Sequence, residues 1–149
     1  MTISNVLQSD LPEVSALIAA SVQHSVHSEA DAQFVIDDIA RCLEAWSKDP
    51  SQSLHLKYML DDSIGGIILV KKYWNLQLLF VAPSCQRRGI GRALIDAVLP
   101  ECRARSPKGK LMVNSSTDAV PFYSKLGFLQ TGPGHDRPGG GVPHEYCFV

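Results

Sequence analysis

The spacing of apolar residues predicts two amphipathic helices in the first third of the chain. The first begins after Asp10, which together with Glu13 suits a capping box at a helix start. Its apolar positions recur at helical spacing, at Val14, Leu17, Ile18 and Val22. The second is predicted over residues 30–47 before a proline break, with apolar positions at Phe34, Ile39, Leu43 and Trp46. A strand over residues 2–7 precedes them, and a polar link over residues 24–29 joins them.

Alternating and apolar runs in the middle of the chain predict three strands. The first of these runs alternates, with apolar residues at Leu54, Leu56, Tyr58 and Leu60. A turn over residues 61–63 leads to an apolar run over residues 64–70, so we expect a hairpin. The third strand is predicted over residues 74–81. Its alternation is expected to put Asn75 and Gln77 on one side, and Leu76, Leu78 and Phe80 on the other.

The rest of the chain alternates helices and strands. A glycine-punctuated helix is predicted over residues 89–104, with an inward face formed by Leu94, Ile95, Val98, Leu99 and Cys102. A strand over residues 110–114, a short helix over about residues 117–125 and a strand pair within residues 127–149 follow. No internal repeat is visible, and no linker divides the chain before these last strands. We therefore expect a single domain over residues 1–149.

Composition and charge narrow the classes of partner. The chain has 149 residues, 45% of them hydrophobic, which is enough for one buried core. Its 14 basic and 15 acidic residues give a net charge of -1, without the basic excess of a nucleic-acid-binding protein. No apolar run approaches the ~20 residues of a membrane span, and no signal-peptide pattern is present. We therefore expect a cytoplasmic protein whose partners include neither nucleic acid nor membrane.

Residues 86–93, with the sequence QRRGIGRA, lie where a predicted strand leads into a predicted helix. The first backbone N–H groups of a helix lack intrahelical partners, and the helix dipole is positive there, so an anion is stabilised. Gly89 and Gly91 have no Cβ atom that would hold a phosphate away from these groups. Arg87, Arg88 and Arg92 add positive charge around the same point. The segment therefore predicts a binding site for a diphosphate.

Two glycines at this spacing do not by themselves identify the ligand. A dinucleotide loop of the Rossmann type would have a third glycine where this chain has Leu94, and an acidic residue where it has Asn114. A Walker-type nucleotide loop would need a Gly-Lys-Ser/Thr sequence, which is absent. A dinucleotide-dependent oxidoreductase is therefore the weaker interpretation.

Two segments carry a family resemblance. Residues 78–99, LLFVAPSCQRRGIGRALIDAVL, resemble the acetyl-coenzyme A signature of the GNAT superfamily of N-acyltransferases. Residues 115–128, SSTDAVPFYSKLGF, are similar to the downstream motif of the same family. The resemblance implies an α/β fold, with a mixed, mostly antiparallel sheet of about seven strands, splayed at the cofactor site and flanked by about four helices. It also implies an N-acetyltransferase that moves an acetyl group from acetyl-coenzyme A directly to an amine acceptor in a ternary complex.

The resemblance also assigns roles to individual residues. It implies that Phe80 and Val81 contact the pantetheine through backbone groups at the splay. The residues that it implies bind the pyrophosphate are Gln86, Arg87, Arg88, Gly89, Ile90, Gly91, Arg92 and Ala93. Ser116 stands where many relatives have a cofactor-contacting asparagine, and Asn114 is close enough to share that role. Tyr123 aligns with the tyrosine often assigned as the general acid that protonates the departing thiolate.

The base that deprotonates the amine is not evident from the sequence. The strand over residues 74–81, which often supplies a carboxylate in this family, offers only the amides of Asn75 and Gln77, which cannot act as bases. Glu29 is our candidate, and the alternatives are Asp31, His144 and Glu145. A non-catalytic acyl-coenzyme A-binding regulatory module therefore stays open as an alternative function. The acceptor, a small-molecule or peptide amine, cannot be identified, and the sequence does not decide whether the protein forms a homodimer.

Two further patterns carry little weight. His24 and His27, with Glu29 and Asp31 nearby, are a weak match to a metal site, and we expect no metal. Cys85 precedes the diphosphate segment, where its pKa could be lowered, but direct transfer needs no cysteine. The four cysteines lack C-x-x-C spacing and are expected to be reduced thiols.

Overall fold

The structure is a computed structural model, and it describes residues 2–148 of the chain. Within these residues seven strands form one sheet, and four α-helices flank it. The strands are β1 (Thr2–Asn5), β2 (Ser53–Leu60), β3 (Ser63–Lys71), β4 (Asn75–Val81), β5 (Lys110–Ser115), β6 (Leu129–Gln130) and β7 (Val142–Cys147). The helices are α1 (Leu11–Ser25), α2 (Glu29–Lys48), α3 (Ile90–Arg105) and α4 (Val120–Lys125). Short 3-10 turns precede α1, α3 and α4.

The sheet has the strand order β1-β2-β3-β4-β5-β7-β6. All neighbouring strands run antiparallel except β4 and β5, which are parallel. These two strands pair only at Asn75 with Met112 and at Leu76 with Val113, and beyond those pairs they separate. The mixed, mostly antiparallel sheet with a splay in its middle is therefore confirmed.

Two apolar cores lie on the opposite faces of the sheet. On one face α1 and α2 pack against β3 and the end of β4 around Ile67, Leu69 and Leu78. On the other face α3 and α4 pack around Ile68, Leu94 and Phe128. The interior strand β3 is buried on both faces, which explains its continuous apolar run. Among the described helices, none combines the length and the apolar character that crossing a membrane requires.

The predicted capping box at the start of α1 is wrong. Asp10 has a helical backbone conformation and makes no side-chain cap for α1. Its carboxylate instead accepts hydrogen bonds from the Leu7 amide (2.8 Å) and from Lys57 Nζ on β2 (2.6 Å). The carboxylate of Glu13 accepts from the backbone N–H of Ile64 on β3 (2.8 Å). Tertiary partners on the sheet therefore take both acidic side chains away from the helix end.

The boundaries of the first two helices also differ from the prediction. His24 lies in the last turn of α1, so the link between the helices is only residues 26–28. Ser28 caps α2 by accepting a hydrogen bond from the Asp31 amide (3.3 Å), which explains why the helix begins at Glu29. Phe34 does not join the buried face of α2, and half of its surface is exposed.

The predicted alternation along β4 is broken. Leu69 pairs with Leu78 while Val70 pairs with Leu76, so Gln77 is an extra residue that forms a β-bulge. As a result Leu76 packs in the α3–α4 core, whereas Leu78 and Phe80 pack in the α1–α2 core. The expectation that these three side chains share one face was therefore wrong for Leu76.

Candidate active site

A cavity of about 420 Å³ lies where β4 and β5 separate. Leu78 and Phe80, which belong to the α1–α2 core, form part of its wall. Leu79 and Val113, which belong to the α3–α4 core, form another part. Because residues of both cores line it, the cavity passes through the plane of the sheet.

Four of the residues singled out in the sequence line this cavity together. Phe80 comes from β4, Asn114 and Ser116 come from the end of β5, and Tyr123 comes from α4. Asn114 is exposed, while its neighbour Ser115 is buried and also lines the cavity. The splay thus brings together residues that are up to about forty positions apart in the sequence.

Tyr123 is held rigidly beside the cavity. Its ring makes T-shaped contacts with Phe122 and Phe128, at centroid distances of 5.1 and 5.3 Å, and the residue is only 5% exposed. Burial raises the pKa of Tyr123 above its usual value. The phenol therefore stays protonated at neutral pH, as a proton donor must.

The predicted diphosphate segment forms the start of α3. Gly89 is the N-cap residue, with a left-handed backbone (φ 78°), and its carbonyl accepts the first helical hydrogen bond, from the Ala93 amide (3.0 Å). A methyl group at Gly89 would meet nothing within 4 Å, so the space beside it is open. Gln86, Arg87, Arg88 and Arg92 are exposed around this helix start. Helix amides, open space and nearby guanidinium groups fit a diphosphate.

The structure gives packing as a reason for the glycine at position 91. A methyl group at this position would lie 3.2 Å from Cζ of Phe122 and 3.9 Å from Cγ2 of Val81, rather than in open space. The absent side chain therefore makes room for Phe122 of α4 and Val81 of β4. Ile90 is buried, so any contact that it makes with a ligand uses its backbone.

Ser21 was missed by sequence reasoning. This buried residue of α1 donates a hydrogen bond from its hydroxyl to the carbonyl of Val81 (2.8 Å), at the end of β4. The carbonyl of Val81 is thus already engaged, whereas Phe80 is the member of the predicted pair that lines the cavity. A polar residue on the otherwise apolar face of α1 was the available signal.

The candidate bases lie in different places, and His144 is the one whose ring is near that of Tyr123, at a centroid distance of 6.4 Å. Glu29 is exposed at the start of α2 and lines a separate cavity beside α1. Asp31 is exposed two residues further along α2, and Glu145 forms an ion pair with Lys110 (3.0 Å). His144 is buried, and its Nδ1 lies 3.0 Å from the carbonyl of Val142.

Among the described residues, the carboxylate that lines the cavity belongs to Asp38 of α2. Its Oδ1 forms an exposed ion pair with Arg41 at 3.1 Å. Phe34 and Cys42, one turn before and one turn after Asp38, line the same wall. The sequence did not indicate Asp38, because a surface carboxylate on an amphipathic helix is the ordinary case.

The loop between β6 and β7 covers the cavity on its remaining side. Residues 137–141 line it, and Arg137 Nε donates to the Gly140 carbonyl (2.9 Å) within this loop. A methyl group at Gly139 would lie 3.1 Å from Cγ2 of Val35, and one at Gly140 would lie 3.1 Å from the Thr117 amide. The glycines therefore let the loop pass closely between α2 and the segment before α4.

The fold is that of a known class of enzyme. A family model described as an acetyltransferase (GNAT) domain matches residues 19–144. The chain therefore belongs to the GNAT acetyltransferase family, and it is an acyltransferase. No curated protein sequence matches it significantly.

Solved structures with the same fold cover nearly the whole chain. A GCN5-related N-acetyltransferase from Rhodopseudomonas palustris is 22% identical, with a TM-score of 0.81, over 98% of this chain and 94% of that one. The PaiA N-acetyltransferase from Thermoplasma acidophilum, solved with coenzyme A, is 19% identical, with a TM-score of 0.76, over 98% of both chains. The ribosomal-protein-S18-alanine N-acetyltransferase from Escherichia coli is 19% identical, with a TM-score of 0.68, over 99% of this chain and 93% of that one.

Proposed function

We propose that the protein transfers an acetyl group from acetyl-coenzyme A directly to an amine, with both substrates bound at once. The observation that carries this proposal is the cavity that passes through the splayed sheet, with Tyr123 in its wall. A cavity lined by residues from both faces of the sheet gives an acyl donor and an amine a common point at which to meet. The start of α3 adjoins the splay, because Gly91 packs beside Val81 at the end of β4.

In this proposal the residues of α3 and β4 bind and orient the donor. The exposed amides and arginines at the start of α3 hold the diphosphate, and the strand end around Phe80 holds the pantetheine arm. Asn114 and Ser116, at the end of β5, border the same arm. Acetyl-coenzyme A supplies the acyl carbon that the amine attacks.

Proton movements are assigned to two side chains. An alkylamine has a pKa near ~10.4, so its ammonium form must lose a proton before attack. We assign this step to Asp38 acting through cavity water, in place of Glu29, which lines a different cavity. A C–N bond forms as the C–S bond breaks. Tyr123 gives its phenolic proton to the leaving sulfur, and the second proton, which the nitrogen loses as the amide forms, returns through water to the phenolate.

Direct transfer makes a clear prediction for the protein itself. No acetyl group should become attached to Cys85, the half-exposed thiol just before the diphosphate segment, when acetyl-coenzyme A is supplied without an amine. Mass spectrometry of the intact protein measures this, and Cys85→Ala should keep turnover within a few-fold. A stoichiometric adduct on Cys85 that disappears when an amine is added would replace direct transfer with a two-step route.

The donor is tested separately from the route. Acetyl-coenzyme A should raise the melting temperature of the protein, and NADH should not, because a ligand at 100 times its Kd stabilises by about 2.7 kcal/mol. Release of coenzyme A in the presence of an amine panel, corrected for hydrolysis, then separates an enzyme from a binding module. Binding of acetyl-coenzyme A without transfer to any amine would favour the regulatory module.

A further inference from the structure

A second cavity adjoins the first beneath the C-terminal half of α2. It has a volume of about 320 Å³, and its walls come from the end of α2, the start of β2 and the end of β3. Cys42 and Gln77 line both cavities. The two cavities therefore lie on either side of this pair of side chains, and together we call them the α2 groove.

The β-bulge in β4 accounts for the position of Gln77. Because Gln77 has no partner on β3, its side chain lies on the same side of the sheet as Leu78 and reaches the α2 groove. Cys42 approaches from α2 on the opposite wall. Both side chains are uncharged and of modest size, so the junction that they form suits the backbone of an extended chain better than a bulky group.

The far end of the α2 groove carries excess positive charge. Lys71 and Lys72 line the second cavity, and neither takes part in an ion pair within residues 2–148. Asp49 is the carboxylate in its lining, and it accepts hydrogen bonds from the backbone and side chain of Ser51. Two ammonium groups thus face one carboxylate, so an anionic group is favoured at this end.

The pairing of β3 with β4 gives the distance between Phe80, in the first cavity, and Lys71, at the cationic end of the α2 groove. Lys71 pairs with Asn75, which is five residues before Phe80 on β4. At about 3.3 Å per residue, the two ends are roughly 16 Å apart, or slightly less because of the bulge. An extended peptide advances about 3.3 to 3.6 Å per residue. The N-terminal residue is the first, so the fifth or sixth residue, four or five steps further on, would reach the lysines when the N-terminal amine lies beside Phe80.

We propose that the α2 groove binds the amine acceptor, and that this acceptor is a peptide N-terminus with an acidic side chain at its fifth or sixth residue. The inference rests on the proposed acetyl transfer. The amine lies in the first cavity, the backbone passes between Cys42 and Gln77, and the carboxylate lies between Lys71 and Lys72. The lysines select the substrate and take no part in the chemistry.

A scan of acidic positions tests the proposal. The probes are alanine hexapeptides with a free N-terminus that carry one Glu, or one Gln in the matched peptide, at each position from two to six. Release of coenzyme A gives kcat/KM for each peptide with the wild-type protein. The Glu-to-Gln ratio should rise to about fivefold at position five or six, the size of one favourable exposed ion pair, and should stay near one at position two. A flat ratio along the scan would overturn the proposal.

Variants show whether the lysines cause the preference. In a Lys71→Gln, Lys72→Gln double variant the ratio should fall to about one through a higher KM for the acidic peptides, while kcat and the KM for acetyl-coenzyme A stay the same. Lys48→Gln is the control, because Lys48 pairs with Glu44 at the end of the same helix (3.1 Å) and does not line the groove. An acidic preference that survives in the double variant would contradict the assignment.

The experiment also separates this inference from the function on which it rests. Acetylation of peptides without any positional preference would overturn the α2 groove assignment and leave acetyl transfer intact. Acetylation of simple amines with no peptide accepted would do the same. If no amine of any kind releases coenzyme A above hydrolysis, both the inference and the proposed transfer fail.

Discussion

The ring of Phe122 lies against Gly91, so that a methyl group on Gly91 would be 3.2 Å from Cζ and 3.4 Å from Cε1 of the ring. This contact joins the first turn of α3 to α4. It also holds Phe122, the residue next to Tyr123, in place. The rings of Phe122 and Tyr123 make a T-shaped contact with centroids 5.1 Å apart. The start of α3 and the position of Tyr123 are thus coupled through one aromatic ring.

Gly91→Val should destabilise the protein by about 1–3 kcal/mol, because its methyl groups overlap the Phe122 ring. The free energy of unfolding, measured in urea, checks this. In a double-mutant cycle with Phe122→Ala the two costs should not add, because removal of the ring relieves the overlap. Additive costs would mean that the strain at Gly91 comes from another contact.

Gly89→Ala should weaken binding of acetyl-coenzyme A severalfold, because the new side chain enters the open space where we propose that the diphosphate lies. Gly109→Ala is a matched control: Gly109 also has a positive φ (65°) and open surroundings, but it lies in the turn before β5. Both substitutions should cost about 1–2 kcal/mol of stability through backbone strain. Calorimetry with acetyl-coenzyme A separates them, and equal affinities in the two variants would move the diphosphate elsewhere.

The local periodicities of the sequence predicted most of the helices and strands. The predicted helix over residues 30–47 agrees with α2 to within one residue at each end, because its apolar face and its proline break are local features. The two family motifs located the start of α3 and Tyr123. These features depend on residues that are close together in the chain.

Features that depend on distant partners were not predictable in the same way. The bulge at Gln77 exists only in relation to the register of β3, which no pattern within β4 reveals. Asp10 suits a helix cap, yet Lys57, forty-seven positions away, takes its carboxylate. The bond from Ser21 to Val81 spans sixty positions. In each case a tertiary contact outweighs a local preference.

Tyr123→Phe should lower kcat by about 10²-fold or more while leaving the affinity for acetyl-coenzyme A nearly unchanged. The substitution keeps the ring that packs against Phe122 and Phe128 and removes only the proposed proton donor. Because burial raises the pKa of Tyr123, the phenol should remain protonated across pH 6 to 10, so its own ionisation should not limit kcat in that range. Equal kcat values for the two proteins at every pH would rule out the hydroxyl as the acid.

His55 should make the fold sensitive to mild acid. It is 3% exposed, neither ring nitrogen has a hydrogen-bond partner among the described residues, and the Trp46 ring stands 4.5 Å away. Burial lowers the pKa of His55 from 6.5 to about 4. The unfolded chain therefore binds a proton that the folded chain does not bind. As a result the free energy of unfolding decreases as the pH falls from about 6.5 to about 4.

The expected loss is about 2 kcal/mol in the free energy of unfolding between pH 7.5 and pH 5. Urea unfolding at the two pH values measures it. His55→Phe keeps an aromatic ring beside Trp46 but cannot be protonated, so its loss over the same interval should be smaller by about that amount. Identical losses in the two proteins would assign the acid sensitivity to other groups.

The separation of β4 from β5 beyond Leu76 and Val113 leaves two strands facing each other without a ladder between them. Backbone donors and acceptors that most sheets expose only at their rims are here turned towards one another in the interior. A hydrocarbon that filled this gap would leave them unsatisfied, at a cost in free energy for each group. The gap therefore favours a ligand that contains peptide-like groups of its own. Such a ligand can hydrogen-bond to both strands as a short strand between β4 and β5.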